Sequence, residues 1–162
     1  MGRNDMKLEE KVVKRLMEKD YHISFAESCT GGLTAATIVS VADASKVFDV
    51  SFVTYANEAK IKYLGVQQDV IEQFGVVSEE VAKQMAAGVA KEAQSEVGFG
   101  ITGIAGPSGG TKTKPVGMVC FGICIAGQTK TYTMQFGNIG RNEVRKKSVD
   151  FVLQQLLEDM DA

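Results

Sequence analysis

Three polar residues in the first part of the chain have the side-chain types and settings that acyl-transfer chemistry requires. Ser28 follows a short apolar run and precedes a turn of small residues, where its hydroxyl could face a cleft and act as a nucleophile. The free N–H groups at the start of the following helix could then bind an oxyanion. Lys60 falls near the start of another predicted helix, where the helix dipole lowers the pKa of an amine and favours its neutral form. Tyr55 ends the strand before that helix.

Each of these residues also has a purely structural interpretation, which its local context favours when the residue is taken alone. A serine between a strand and a helix is a common N-cap residue, and Lys60 could lie on the surface in solvent. Cys29 has no partner beside it in the sequence, so a small buried residue is a simpler interpretation than a nucleophile. Neither Ser28 nor Lys60 by itself indicates an enzyme.

Histidine and cysteine are too few for several common kinds of site. The chain has one histidine, His22, and three cysteines, Cys29, Cys120 and Cys124, without a CxxC pair. A disulfide framework or a Cys/His zinc site is therefore not expected, and we predict neither metal nor cofactor. His22 falls between a predicted helix and a predicted strand, where a structural or exposed histidine is expected. Catalysis must then use another base.

Positive charge is segregated in the second half of the chain. Residues 97–142 contain no carboxylate although the formal net charge of the whole chain is −2. The basic residues of this segment are Lys112, Lys114, Lys130 and Arg141. Together with the backbone N–H groups of a glycine-rich loop at residues 103–110, they could hold a phosphate or a carboxylate. The alternative is that the lysines protect exposed hairpin edges from pairing with other chains.

Two glycine patterns need separate explanations. Gly98, Gly100 and Gly103 satisfy the dinucleotide-binding pattern GxGxxG, but the first two lie inside a predicted strand and no acidic residue follows at the required spacing. We therefore exclude a dinucleotide site of that kind. Gly31 and Gly32 fall in the first turn of a predicted helix, where each costs about 1 kcal/mol relative to alanine. That cost suggests that a ligand approaches the backbone closely there.

Hydrophobic spacing and turn residues predict the elements that would position these side chains. The predicted strands cover residues 22–26, 50–55, 97–102, 116–126 and 129–136, the last two joined by a turn at Gly127-Gln128. The predicted helices cover residues 5–19, about 33–41, 57–65 with Asn57 as N-cap, 78–95 with Ser78 as N-cap, and an amphipathic C-terminal segment through 149–160. We expect a three-layer α/β/α domain with a mixed sheet that includes a late antiparallel hairpin.

Length and composition limit the classes of protein. The chain has 162 residues, of which 44% are hydrophobic and 23% charged, and it shows no linker or repeat, so we expect one domain over residues 1–162. The slightly negative net charge argues against a general nucleic-acid binder. No apolar run of about 18 residues is present, and the N-terminal segment is charged, which predicts a cytoplasmic protein that does not bind a membrane.

Five sequence blocks, in the same order and spacing, resemble the C-terminal domain family of the competence-damage-inducible protein CinA. The resemblance covers residues 7–158. The blocks are AESCTGG at 26–32, VTYANEAK at 53–60, GVVSE at 75–79, TGIAGPSGG at 102–110 and KPVG at 114–117. The resemblance does not extend to the N-terminal domain of the full-length protein, so we do not expect functions of that domain.

The resemblance implies a specific activity. Stand-alone members of this family are nicotinamide-nucleotide amidohydrolases, which convert nicotinamide mononucleotide (NMN) to nicotinic acid mononucleotide and ammonia. It implies a Ser28 nucleophile, a Lys60 base, a nearby Tyr55 and an anion-binding Arg141, although GNIGR at 137–141 departs from the usual Gly-Asp-Arg or Gly-Asn-Arg. The other expected substrate-binding residues are Cys29, Thr30, Gly31, Gly32, Thr102, Gly103 and Gly106.

The sequence leaves two alternatives to this activity open. A non-catalytic nucleotide-binding or adaptor domain would use the same glycine loop and arginine without turnover. An amidase for another small carboxamide would use the same nucleophile. The expected partners are the small-molecule substrate and further copies of the same chain, with no nucleic acid and no membrane.

Overall fold

The computed structural model describes residues 6–161, which form a five-stranded sheet with helices on both faces. The strands are β1 (Ile23–Glu27), β2 (Phe52–Val53), β3 (Val97–Gly103), β4 (Met118–Ile125) and β5 (Gln128–Gln135). The helices are α1 (Leu8–Lys19), α2 (Leu33–Val39), α3 (Asn57–Leu64), α4 (Gln68–Phe74), α5 (Glu79–Ala93) and α6 (Arg141–Met160), with a short 3₁₀ helix at Ala44–Lys46.

The sheet is mixed, with strand order β2-β1-β3-β4-β5. Strands β2 and β3 run parallel to β1, whereas β4 and β5 form an antiparallel hairpin beside β3. Helices α1, α2 and α6 cover one face, and α3, α4 and α5 cover the other. The three-layer α/β/α fold with a late hairpin is therefore confirmed. The parallel arrangement brings the carboxyl ends of β1, β2 and β3 to one edge, where ligand sites of such sheets commonly form.

Successive residues of the buried strands pack alternately against the two helical layers. Phe25 and Phe99 pack into the larger core beneath α1 and α6, and Ala26 packs beneath α5. Gly98 and Gly100 face α5, whose backbone approaches so closely that a Cβ on Gly100 would lie 2.5 Å from the carbonyl oxygen of Ala82. The first two glycines of the GxGxxG pattern thus serve helix–sheet packing, whereas Gly103 lies against Val119 of β4.

Gly100→Ala is expected to destabilise the fold by about 1–3 kcal/mol, because the added methyl group overpacks a contact with rigid helix backbone. Urea unfolding followed by circular dichroism measures this as a lower midpoint at an unchanged slope. An alanine variant with the parent midpoint would show that α5 can shift away from the sheet at little cost.

Local signals explain most element boundaries. The Ser78 hydroxyl accepts a hydrogen bond from the N–H of Val81, 3.2 Å away, which confirms the predicted N-cap of α5. Gly65 ends α3 in a left-handed conformation, φ 73°. The exposed His22 pairs with Asp49 at 2.7 Å, as expected for a histidine with a structural role.

Three local predictions were wrong. The strand predicted over residues 50–55 is only two residues long, and Asn57 is the first residue of α3, which follows Ala56 as N-cap. The hairpin turn is Ala126-Gly127, both with positive φ, because Ile125 pairs directly with Gln128. Helix α4 was not predicted. None of the helices within residues 6–161 is both long and apolar enough to cross a membrane.

Candidate active site

A cavity of about 410 Å³ opens at the carboxyl ends of β1 and β3. Its walls come from four separate segments, which are residues 28–29, 55–57, 75–77 and 102–111, together with Lys114 and Arg141. No aspartate or glutamate lines it. The cavity therefore has two basic side chains and no acidic one, which suits an anionic ligand.

Ser28 and Lys60, which are 32 residues apart, are in contact at this cavity. Ser28 directly follows β1 and lines the cavity, with 9% of its surface exposed. The Lys60 side chain extends from the first turns of α3 and is 1% exposed. Its Nζ lies 3.2 Å from Ser28 Oγ, 2.7 Å from the carbonyl oxygen of Thr54 and 3.3 Å from that of Tyr55. The predicted nucleophile and base are thus within hydrogen-bond reach.

The surroundings of Lys60 make its amine easier to deprotonate. Burial lowers the pKa of Lys60 from 10.5 to about 8, since the charged form loses hydration that no acidic neighbour replaces. A neutral amine has two N–H donors and one lone pair. The ammonium form donates to all three oxygens; once Nζ is deprotonated and its two remaining N–H groups stay on the carbonyls of Thr54 and Tyr55, its lone pair is left to accept the hydroxyl proton of Ser28. The backbone of the β2–α3 connection therefore orients Lys60 as a base.

Glu27 organises the turn after Ser28. Its fully buried carboxylate accepts hydrogen bonds from the N–H groups of Gly32, Thr34 and Ala35 at 3.0–3.2 Å. It therefore occupies the start of α2, where the helix dipole favours a negative charge. Sequence reasoning missed this residue, and the available signal was an acidic side chain at the end of an otherwise buried strand.

The small residues of this turn serve backbone geometry more than ligand contact. Gly31 and Gly32 have φ values of 58° and 99°, which glycine adopts without strain. Neither they nor Thr30 line the cavity, although all three were predicted to bind substrate. Cys29 does line it, and burial raises the pKa of its thiol to about 11, so the thiol stays protonated.

Tyr55 and Arg141 meet at the rim of the cavity. The Tyr55 ring is exposed, and its hydroxyl accepts a hydrogen bond of 2.8 Å from Nη2 of Arg141. Nη1 of Arg141 donates to the carbonyl oxygen of Gly106, also at 2.8 Å. Arg141 therefore lines the cavity despite the longer GNIGR sequence before it. Lys60 contacts the Tyr55 carbonyl, whereas the Tyr55 phenol contacts Arg141.

The cavity wall at residues 75–77 is held by two side chains, Thr102 at the end of β3 and Lys114 in the loop before β4. The hydroxyl of the buried Thr102 donates to the carbonyl oxygen of Val76 at 3.0 Å. Nζ of Lys114 donates to the carbonyl oxygens of Val77, at 2.7 Å, and of Phe74. Thr102, Gly103 and Gly106 all line the cavity as predicted. In the described part of the chain, no three His, Cys, Asp or Glu side chains are grouped to hold a metal ion.

Comparison with known proteins identifies the family of this domain. The model of the CinA C-terminal domain matches residues 5–160. The chain belongs to the CinA C-terminal domain family. A CinA-like protein of Kosmotoga olearia is 48% identical over 160 residues, which cover 96% of this chain and 39% of that protein. A competence-damage inducible protein of Clostridium perfringens is 47% identical over 160 residues, covering 99% and 39%. The chain thus spans about two fifths of the curated CinA relatives it matches.

Solved structures of CinA-superfamily proteins have the same fold. The protein from Klebsiella pneumoniae superposes with a TM-score of 0.92 at 32% identity and covers 95% of this chain and 96% of its own. The competence/damage inducible protein from Agrobacterium tumefaciens gives 0.89 at 36% identity, with complete coverage of both chains. The similarity therefore extends over the whole sheet and both helical layers of the CinA domain.

Proposed function

We propose that this CinA-family domain hydrolyses the carboxamide of nicotinamide mononucleotide to nicotinic acid mononucleotide and ammonia. The observation that carries the proposal is the contact between the buried Lys60 amine and Ser28 Oγ, 3.2 Å apart, at a cavity without carboxylates. A serine paired with a neutral lysine is an activated acyl-transfer nucleophile. The basic lining of the cavity suits a substrate that carries a phosphate.

The first half of the reaction forms an acyl-enzyme. Neutral Lys60 removes the Ser28 proton as Oγ attacks the carboxamide carbon, and negative charge develops on the carboxamide oxygen. The N–H groups of Cys29 and Thr30 are the candidate donors to that oxygen, with Gly103 and its neighbours on the opposite wall. The Lys60 ammonium then protonates the leaving nitrogen. The C–N bond breaks, ammonia departs, and a nicotinoyl ester of Ser28 remains.

The second half repeats the proton transfers with water. Lys60, again neutral, takes a proton from the water that attacks the ester, and the proton then passes to Ser28 Oγ as the C–O bond breaks. The product is the carboxylic acid, and the Ser28 hydroxyl is restored. Tyr55 supports this cycle through its carbonyl, which orients the Lys60 amine. A role of the Tyr55 phenol in relaying or orienting the proton that Lys60 shares with the departing ammonia remains a prediction.

Ammonia release from three substrates tests the proposed function. We expect turnover of nicotinamide mononucleotide, much slower turnover of nicotinamide riboside, which lacks the phosphate, and none of free nicotinamide. Binding of the mononucleotide without ammonia release would instead indicate a non-catalytic nucleotide-binding or adaptor domain. Equal rates on all three compounds would indicate an amidase for other small carboxamides.

Arg141→Ala is expected to raise KM for nicotinamide mononucleotide about 10-fold to 150-fold, since a hydrogen bond to an ionised partner contributes about 1.5–3 kcal/mol. The weak activity on nicotinamide riboside should change little. Steady-state kinetics of both substrates measure the difference. The matched control is Lys146→Ala, which removes an exposed positive charge from the same helix. An equal loss on both substrates would contradict phosphate binding by Arg141.

A further inference from the structure

A second arginine on α6, Arg145, holds the backbone of the turn that follows the nucleophile. Its Nε donates to the carbonyl oxygen of Cys29 at 3.1 Å, and its Nη2 donates to that of Thr30 at 2.9 Å. Its Nη1 donates to Oδ1 of Asn142 at 3.0 Å. All three nitrogens of the guanidinium are therefore engaged by protein oxygens. Unlike Arg141, Arg145 does not line the cavity.

These contacts determine where the N–H groups of the turn point. In a trans peptide the N–H and C=O of one unit point in opposite directions, and the peptides of this turn are trans. Because the Cys29 carbonyl is directed to Arg145, the N–H of Thr30 points away from Arg145. The Ser28 carbonyl accepts the N–H of Gly31 at 3.0 Å, which likewise sets the direction of the Cys29 N–H. Within residues 6–161 neither of these two N–H groups donates a hydrogen bond to another residue.

Glu27 holds the same turn from its other end. Its carboxylate accepts hydrogen bonds from the N–H groups of Gly32, Thr34 and Ala35. The guanidinium of Arg145 donates to the carbonyls of Cys29 and Thr30. Of the N–H groups in this turn, those of Cys29 and Thr30, directly after Ser28, are left without a hydrogen-bond partner in another residue. An oxyanion hole needs such preorganised donors beside the nucleophile.

We propose that Arg145 is a positioning residue for catalysis, which holds the Cys29 carbonyl and thereby fixes the Thr30 N–H as an oxyanion-hole donor for attack by Ser28, beside the Cys29 N–H that the Ser28–Gly31 hydrogen bond sets. This inference rests on the proposed acyl-transfer function. It separates the two arginines of α6, because Arg141 faces the cavity and acts on substrate affinity, whereas Arg145 acts on the rate through the backbone. A bidentate guanidinium is required, since a lysine ammonium presents no planar pair of donors.

The test compares Arg145→Gln and Arg145→Lys with Lys146→Gln, which removes a neighbouring exposed charge from the same helix. We expect kcat on nicotinamide mononucleotide to fall about 100-fold in both Arg145 variants, as for the loss of an oxyanion donor, with KM changed less than about threefold. Guanidinium ion at millimolar concentration should partly restore the Gln variant. Labelling of Ser28 by a fluorophosphonate, which also develops charge on an oxygen, should slow by a similar factor.

The outcomes separate failure of the positioning role of Arg145 from failure of the proposed hydrolase function. Unchanged kcat, or a rise in KM alone, would overturn the positioning role and assign Arg145 to structure or to phosphate binding. If the parent protein releases no ammonia, the proposed function fails, and the Ser28 labelling rates still decide on Arg145. Circular dichroism verifies that each variant folds. If Arg145→Gln does not fold, the test is made with Arg145→Lys, which keeps the charge and one contact with a carbonyl.

Discussion

Ser28→Ala is expected to reduce the deamidation of nicotinamide mononucleotide by on the order of 10⁴-fold or more, because the alanine variant cannot form the acyl-enzyme. The fold should persist. The hydroxyl makes its contact with Lys60 at the cavity, and its loss removes about 1 kcal/mol of stability at most. Substrate binding should remain near the parent level, since Arg141, the proposed phosphate contact, comes from a different wall segment of the cavity.

Single-turnover ammonia release and calorimetric binding measure the two quantities separately. The matched control is Ser40→Ala, which removes an exposed hydroxyl that donates to the Thr37 carbonyl at the end of α2. Mass spectrometry of the parent enzyme, quenched during turnover, should detect the nicotinoyl ester on Ser28. Deamidation by the alanine variant near the parent rate would refute the nucleophile assignment.

Lys60→Met and Lys60→Arg are expected to lose nearly all activity, because neither side chain can act as a base near neutral pH. In the parent enzyme, kcat/KM should rise with pH and level off above about 8, the pKa to which burial lowers Lys60. The sign follows from the protonation state: below that pH the ammonium form predominates, and the reactive neutral fraction falls about tenfold per pH unit.

The pH profile of kcat/KM and the activities of the two variants test this assignment. Lys62→Met, on the exposed side of the same helix, is the matched control and should keep both the parent rate and the parent profile. An active Lys60→Arg variant would show that Lys60 supplies only positive charge. The role of base would then pass to Tyr55 or to a water molecule.

The fold class could be predicted because apolar spacing is strong where elements are buried. Strand β3 is buried along almost its whole length, and α5 carries a regular apolar face, so both gave clear signals. Helix α4 has no fully buried residue, and Val70 and Ile71 are only partly covered, so its pattern was too weak to identify. The short β2 was overpredicted because β-branched residues also occur in extended connections.

The candidate site was predictable in residue type but not in geometry. Context alone favoured surface exposure for Lys60, and only the tertiary fold shows that its amine is buried against Ser28. Sequence spacing likewise cannot show that Arg145 contacts backbone more than 100 positions earlier, or that Glu27 turns back to cap α2. These contacts depend on the packing of α6 and β1 rather than on any local pattern.

The wall at residues 75–77 belongs to a different part of the chain from the Ser28–Lys60 pair. It is fastened by Thr102 and Lys114 through backbone carbonyls, so its own side chains are not needed for that attachment. Val77 lines the cavity and packs against Ala82 and Cys120, so substitutions there are expected to change the shape of the cavity more than the distance between nucleophile and base. Under the proposed function, we therefore expect substrate selectivity and reactivity to depend on different parts of this scaffold, which would let natural divergence or protein engineering change one without the other.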